Sequence, residues 1–199
     1  MKVMKRIQTY IIAFVLLLCA AQLRAQNYRI GDIVTDDYGI KGVVFYINPT
    51  RTEAWIVALE DLSASCPWGS NSQNIIALTD FNYGTNNSQQ LLTDIDGFSN
   101  TQKIRAVQTG NYYAARRVRF DQGWYLPAAG QLQQLFSSLV VIDTVFANAG
   151  GTTLSEAVYW SSSERSSGEA WGVVFGGTGN GVVYGRTFYD PKTTQHHVR

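Results

Sequence analysis

The chain has 199 residues, 45% of them hydrophobic and 16% charged, which excludes a disordered tail and supplies enough apolar material for a core. Sixteen basic residues stand against fifteen acids, a formal charge of +1, so there is no basic excess to mark a nucleic-acid binder. Aromatics at 13%, among them eleven Tyr and five Trp, point to a β-rich core or to wide amphipathic contact surfaces.

Residues 1–25 read as a signal peptide. Lys2, Lys5 and Arg6 form a basic start, Ile11 to Leu18 is an unbroken apolar run, and small residues follow, with cleavage after Ala25 or, alternatively, Ala21. The apolar run is short for a bilayer span, so no stable membrane span is expected after cleavage. A lipoprotein on Cys19 fits less well, because Leu18 stands where a small residue is expected. Export implies a periplasmic, cell-surface or secreted protein. Cleavage after Ala25 removes four basic residues and no acids, leaving twelve against fifteen and a charge of −3. It also leaves Cys66 alone, so no internal disulfide can form and the core must hold the fold.

Residues 26–199 show no linker, charge block or repeat and read as one domain in three zones. The first is β. "IGDIVTDDYG" predicts a short strand and a turn, and "GVVFYINP" and "EAWIVALED", separated by a turn-like stretch, predict an antiparallel hairpin. "CPWGSNSQNI" and "DFNYGTNNSQ" read as polar loops.

The second zone is helical. From Thr101, the residues Ile104, Val107, Tyr112, Ala115 and Val118 fall near one face, with Gly110 dividing one bent helix or two short ones. A further helix starts after Pro127, carries Leu132, Leu135, Phe136 and Leu139 inward, and stops at Gly150 and Gly151.

The third zone, "AVYWSSSE", "EAWGVVF", "GVVYGRTFY" and "HHVR", predicts short strands divided by Gly-rich turns. Strands, then helices, then strands give an α+β fold, two main helices packed on a twisted, mainly antiparallel sheet.

Candidate chemistry is sparse. A dyad of Cys66 with a histidine is formally available, but one Cys beside "PWG" reads better as a small buried residue. His196 and His197 are adjacent and would face opposite sides of a strand, a poor metal pair. Asp36–Asp37 and "DIDG" at Asp94 to Gly97 do not continue into calcium-loop spacing and read as turns. "GGTGNG" lies among strands and does not lead into a helix, so it is no phosphate loop. Arg105, Arg116, Arg117 and Arg119 read as a solvated helix face. No cofactor, metal or catalytic residue is predicted.

"GWYLPAAGQLQQLF", then "YWSSSE", "AW" and the final "HHVR", together with the earlier "KGVVFYI", "CPWGS" and "DGFSNTQKIR", resemble bacterial extracytoplasmic domains of the Lcl C-terminal type. The resemblance covers nearly all of residues 28–199. Its strongest markers are Trp124, Leu126, Pro127, Leu132, Trp160, Ser161, Ser162, Glu164, Trp171 and Val198–Arg199. It implies a C-type-lectin-like fold and burial of Trp124, Trp160 and Trp171. Relatives in that fold class include formylglycine-generating oxidases, which need paired cysteines. Cys66 alone departs from that pattern, and the "EPN" and "WND" motifs of calcium-dependent sugar binders are absent.

A second resemblance is to the variable proteins of diversity-generating retroelements, in which adenine-directed mutagenesis diversifies codons near the C-terminus. Residues 172–186 contain only residue types reachable from AAY codons by changes at adenine. This resemblance implies an exported ligand-binding or adhesive domain whose variable face meets a protein or glycan on a host or bacterial surface. The residues expected on or beside that face are Arg165, Ser167, Gly168, Gly172, Val174, Gly176, Gly179, Gly181, Val183 and Gly185. The alternatives are an enzyme of the formylglycine-generating or hydrolase type and a structural subunit of a surface fibre.

Overall fold

In the computed structural model the described residues are 28–71, 73–75, 88–154, 157–176 and 185–199. The predicted signal peptide and most of "DFNYGTNNSQ" lie outside them, as do Gly179, Gly181 and Val183. The architecture is α+β, with two sheets where the sequence pattern suggests one. No helix among the described residues is long and apolar enough to cross a membrane.

The first sheet has the order β1-β2-β3, from strands β1 (Ile33–Thr35), β2 (Lys41–Ile47) and β3 (Ala54–Ala58), all antiparallel. Its turns are built by short polar side chains. Asp36 Oδ1 accepts the amides of Tyr38 and Ile40, and Asn48 Oδ1 accepts those of Thr52 and Glu53, the local bonding that makes Asp and Asn turn formers. The predicted hairpin is therefore present, and Asp36 is spent on its turn and on Trp124 Nε1, 2.7 Å from Oδ2.

The second sheet has the order β4-β8-β5-β6-β7. Its strands are β4 (Ser63–Pro67), β5 (Ala157–Glu164), β6 (Glu169–Phe175), β7 (Thr187–Pro191) and β8 (Gln195–Val198). All pairings are antiparallel except the short contact of β5 with β8. "CPWGSNSQNI" is thus not wholly a loop. Its start belongs to β4, and Trp68 is completely buried with Nε1 donating to the Ser161 carbonyl at 2.7 Å. One indole in a run of polar neighbours carries no periodic signal, so only tertiary packing reveals it.

The helices are α1 (Ser88–Leu91), α2 (Gly97–Val107), α3 (Ala114–Arg117), α4 (Ala129–Ser137) and α5 (Leu139–Asn148), with a 3-10 turn at Phe120–Gln122. Asp96 caps α2 by accepting the Ser99 amide, and Asp94 accepts from Asn100 and from Ser163 Oγ, so "DIDG" is a helix-start structure. The helical zone after Thr101 is two short helices. Its predicted face holds for Ile104, Ala115 and Val118, but Val107 and Tyr112 are exposed, because the chain turns at Gln108 and the 100° repeat is not carried across.

The helix expected after Pro127 divides at Ser138, whose hydroxyl donates to the Phe45 carbonyl at 2.7 Å. A mid-helix serine that bonds elsewhere is a natural break. The terminus at Gly150 is as expected, with φ +73 and the Gly151 amide returning to the Phe146 carbonyl.

β5 and β6 are buried on both faces, which explains the apolar character of β6, while the buried second half of β5 is polar. Trp160 faces a cluster with Cys66, Trp68, Ile104, Leu126 and Ala170. Tyr159 faces Val57, Leu132, Phe146, Val173 and Phe175. Trp160 and Trp171 are buried at 1% and 8% exposure, whereas Trp124 is only half-buried, because it lies in the loop before α4.

Candidate functional site

The predicted ligand face divides when placed on the sheet. Arg165, Ser167 and Gly168 form the turn between β5 and β6. Arg165 pairs with Glu169, and its guanidinium lies 3.8 Å from the Tyr189 ring centroid and 6.0 Å from that of Trp171. Arg165 Nε is buried and finds no acceptor. Ser167 is exposed, and a Cβ on Gly168 would meet nothing within 4 Å.

Beneath this turn lies a buried ion pair. Lys192 Nζ donates to the Glu164 carboxylate, and both side chains are 0% exposed. The same ammonium donates to the Gln73 carbonyl at 2.7 Å and to the Ser167 carbonyl at 3.0 Å, and stands 4.8 Å from the Trp68 ring centroid. Glu164 in turn accepts the Ile75 amide. The Lys192 amide also donates to the Gly168 carbonyl. The turn is thus tied from below to β5, to the loop at 73–75 and to the β7–β8 turn. Glu164 was legible as a motif residue. Lys192, in "DPKTTQ", reads as an ordinary turn lysine, and nothing in the sequence distinguishes it.

Gly172 and Val174 alternate with Trp171 and Val173, so they face the opposite side of β6 from the Arg165 stack. Gly172 is buried, and a Cβ there would lie 2.7 Å from the Tyr159 carbonyl oxygen. Gly185 has φ +70, and a Cβ would lie 2.5 Å from Phe136 Cδ1. These two glycines are required by packing, and side chains cannot be displayed from them. Gly176, with φ +90, and Val174 are half-buried at the far end of β6, where Val174 exchanges backbone bonds with Arg186 and Gly185. The expectation of one surface therefore reduces to the Arg165–Gly168 turn with Tyr189. Gly179, Gly181 and Val183 lie outside the described residues.

Register sets Cys66 directly opposite His196, and His196 Nε2 meets Asp190 Oδ2 at 3.1 Å. This is a Cys–His–Asp line by topology, but the thiol hydrogen-bonds to backbone carbonyls and not to the imidazole. Cys66 is fully buried, its Sγ donates to the Tyr112 carbonyl at 2.9 Å, and burial pushes the thiol pKa up against the pull of Arg117. A neutral, sealed thiol is not a nucleophile. Thiol reagents are expected to label Cys66 slower than in denaturant by roughly a hundredfold or more. Reductant should leave the melting temperature of the monomer unchanged. Rapid native labelling, followed by mass spectrometry, would contradict the burial.

His196 and His197 do diverge as expected. His197 meets Asp61 and the Tyr159 ring, while His196 packs on Trp160 and Phe188. Burial lowers the His196 pKa below its ordinary 6.5, outweighing the upward pull of Asp190, and neighbouring His197 lowers it further. The unfolded chain then takes the proton first, so the stability tied to neutral His196 is complete above 6.5 and is lost as pH falls toward the folded pKa. Denaturation midpoints between pH 7.5 and 5 should fall less steeply in His196→Gln than in the parent. Parallel curves would show that His196 takes up its proton equally in the folded and unfolded states.

Among the described residues no group of three His, Cys, Asp or Glu could hold a metal ion. A cavity of about 670 Å³ lies elsewhere, between β3 and the loop before α4, and none of the predicted residues that the structure describes lines it. Comparison of the chain with protein-family models, curated proteins and solved structures finds no match to any of them.

Proposed function

We propose that this protein is an exported, non-enzymatic ligand-recognition domain on a C-type-lectin-like scaffold. In this reading the Arg165–Gly168 turn and Tyr189 contact a protein or glycan on a host or bacterial surface. The observation that carries it is the contrast within that turn. Its backbone is held by a fully buried Lys192–Glu164 pair, while Ser167 and Gly168 above it meet little or nothing. A rigid base under an open, small-residue tip limits the ordering cost of binding. The stacked Arg165 and Tyr189 offer a planar cation and an aromatic edge beside it, two residue types enriched at binding hot spots.

The test separates recognition from folding. Ser167→Tyr and Gly168→Ser should shift stability by about 0.5 kcal/mol or less, since both positions are open. On a panel of immobilised surface glycans and solubilised envelope proteins, the same variants and Arg165→Ala should change the binding pattern of the purified domain. Unchanged patterns with intact folding would remove the turn from recognition.

A further inference from the structure

We propose that the free edge of β3 is a second docking site, which takes an extended peptide segment of a partner protein as a fourth strand of the small sheet. The site is separate from the Arg165 turn, and its tests do not depend on that reading.

The direction of the β3 backbone groups follows from two independent observations. The Val44 amide donates to the Asp32 carbonyl and the Val44 carbonyl accepts the Gly31 amide, so both groups of Val44 serve the β1 side. Residues directly opposite in an antiparallel ladder exchange both bonds or neither. Val44 faces Ile56, so the Ile56 N–H and C=O point away from β2. Two residues on, the Ala58 carbonyl accepts Arg199 Nε at 3.0 Å, which places Ala58 on the same outer edge. Alternation adds Ala54. Arg199 closes the Leu59 end, and among the described residues no strand pairs with β3 on the side of Ala54 and Ile56.

Edges of this kind are usually blunted by Pro, Lys or a bulge. β3 is "AWIVA", with no charge, no proline and a regular backbone; the register shift lies in β2. Instead the edge is recessed. The 670 Å³ cavity is lined by every residue from Ala54 to Leu62. Successive strand residues face opposite sides, so a space that touches all of β3 runs along its edge and not over one face. The far wall is Gln122, Trp124, Tyr125 and Gln131, and Gln122 Oε1 is a buried acceptor without a partner.

The lining also states the chemistry of the occupant. Toward Ala54 the groove is apolar, with Trp55, Phe45, Leu132 and Leu135, and suits β-branched or aliphatic side chains. Beyond Ala58 it is charged. Asp36 is held by Trp124 and its own turn, and Asp61 by His197 and Arg199. Lys41 and Arg119, which form no ion pair among the described residues, stand with Arg199 against the carboxylates of Asp36, Glu60 and Asp61, so this end is polar and balanced in charge. The fitting ligand is an extended strand that is apolar toward Ala54 and polar at that end. For an antiparallel strand, that is its N-terminal end.

The probe is acetyl-Asp-Val-Thr-Val-Thr-amide, with two isomers N-methylated on one or the other alternating set of amides. Only one set faces β3. We expect the parent peptide to bind by calorimetry and to protect the Ile56 amide from hydrogen exchange. One N-methyl isomer should lose roughly tenfold or more in affinity while the other changes little, the signature of backbone pairing. Ile56→Pro, tolerated where an edge N–H bonds nothing, should abolish binding with an unchanged far-UV spectrum. The N-methyl pair reads the same bond from the ligand side and decides the matter should that variant misfold. Absence of binding, equal loss in both isomers, or protection elsewhere would overturn the proposal. Protection of Ile56 by concentration-dependent dimerisation without peptide would also overturn it, in favour of a second copy.

Discussion

Glu164→Gln is expected to cost about 3–5 kcal/mol of folding stability, the usual consequence of removing one member of a buried ion pair. Glu164 and Lys192 are both fully shielded from water. Without the carboxylate, the Lys192 ammonium still meets the carbonyl oxygens of Gln73 and Ser167 and the Trp68 ring, none of which carries a charge to balance it. Lys192→Met should cost a similar amount, because it strands the Glu164 charge. The double variant Glu164→Leu/Lys192→Met should be less destabilised than the sum of the two single ones, since no charge is then buried alone. Urea unfolding of the four proteins measures this directly. If Glu164→Gln costs under about 1 kcal/mol, the pair is hydrated in solution and does not hold the Arg165 turn rigid.

The second large effect is expected at Trp160. Its side chain is 1% exposed and packs against the Cys66 and Trp68 cluster on one side of β5. Trp160→Ala removes that burial and leaves a cavity, a loss of about 3–5 kcal/mol. It also leaves the Cys66 carbonyl without the indole N–H that meets it at 2.9 Å. Trp160→Phe separates these contributions in part, because it keeps most of the packing and loses the bond. That variant should fall between the parent and Trp160→Ala. A melting temperature unchanged in Trp160→Ala would mean that Trp160 is not the centre of this core.

The Trp160 position also accounts for the plain residues that follow it. Trp160 pairs with Gly172 and Glu164 with Ala170, so Ser161 to Ser163 bulge from the ladder. Two of their hydroxyls are put to internal use, while Ser162 Oγ is buried with no hydrogen-bond partner among the described residues. Ser161 donates to the Trp171 carbonyl, and Ser163 donates to Asp94 and accepts the Ala129 amide. A serine run reads as solvent-facing because hydroxyls usually are. Burial here is possible because the bulge brings Ser163 Oγ within reach of α4 and Asp94, and Ser161 Oγ within reach of β6.

By itself the sequence determined the local elements whose signals are local. The alternating apolar pattern and turn residues of "GVVFYINP" and "EAWIVALED" specify the hairpin, because a strand period and an Asx turn each need only neighbouring residues. The inward face of α4 and the glycine stop of α5 follow likewise from a 3.6-residue repeat and from a backbone that only glycine adopts easily. The lone cysteine and the diverging histidines were equally legible. Only the tertiary structure decided which exposed-looking residues are internal. Trp68, Lys192 and Gly172 acquire their roles from atoms 93, 28 and 13 positions away in the chain, at Ser161, Glu164 and Tyr159. The division of the sheet in two, and with it the free edge of β3 beside the loop at Trp124, is likewise a matter of which strands pair. Strand pairing depends on contacts between segments far apart in sequence, and no window of neighbouring residues contains it.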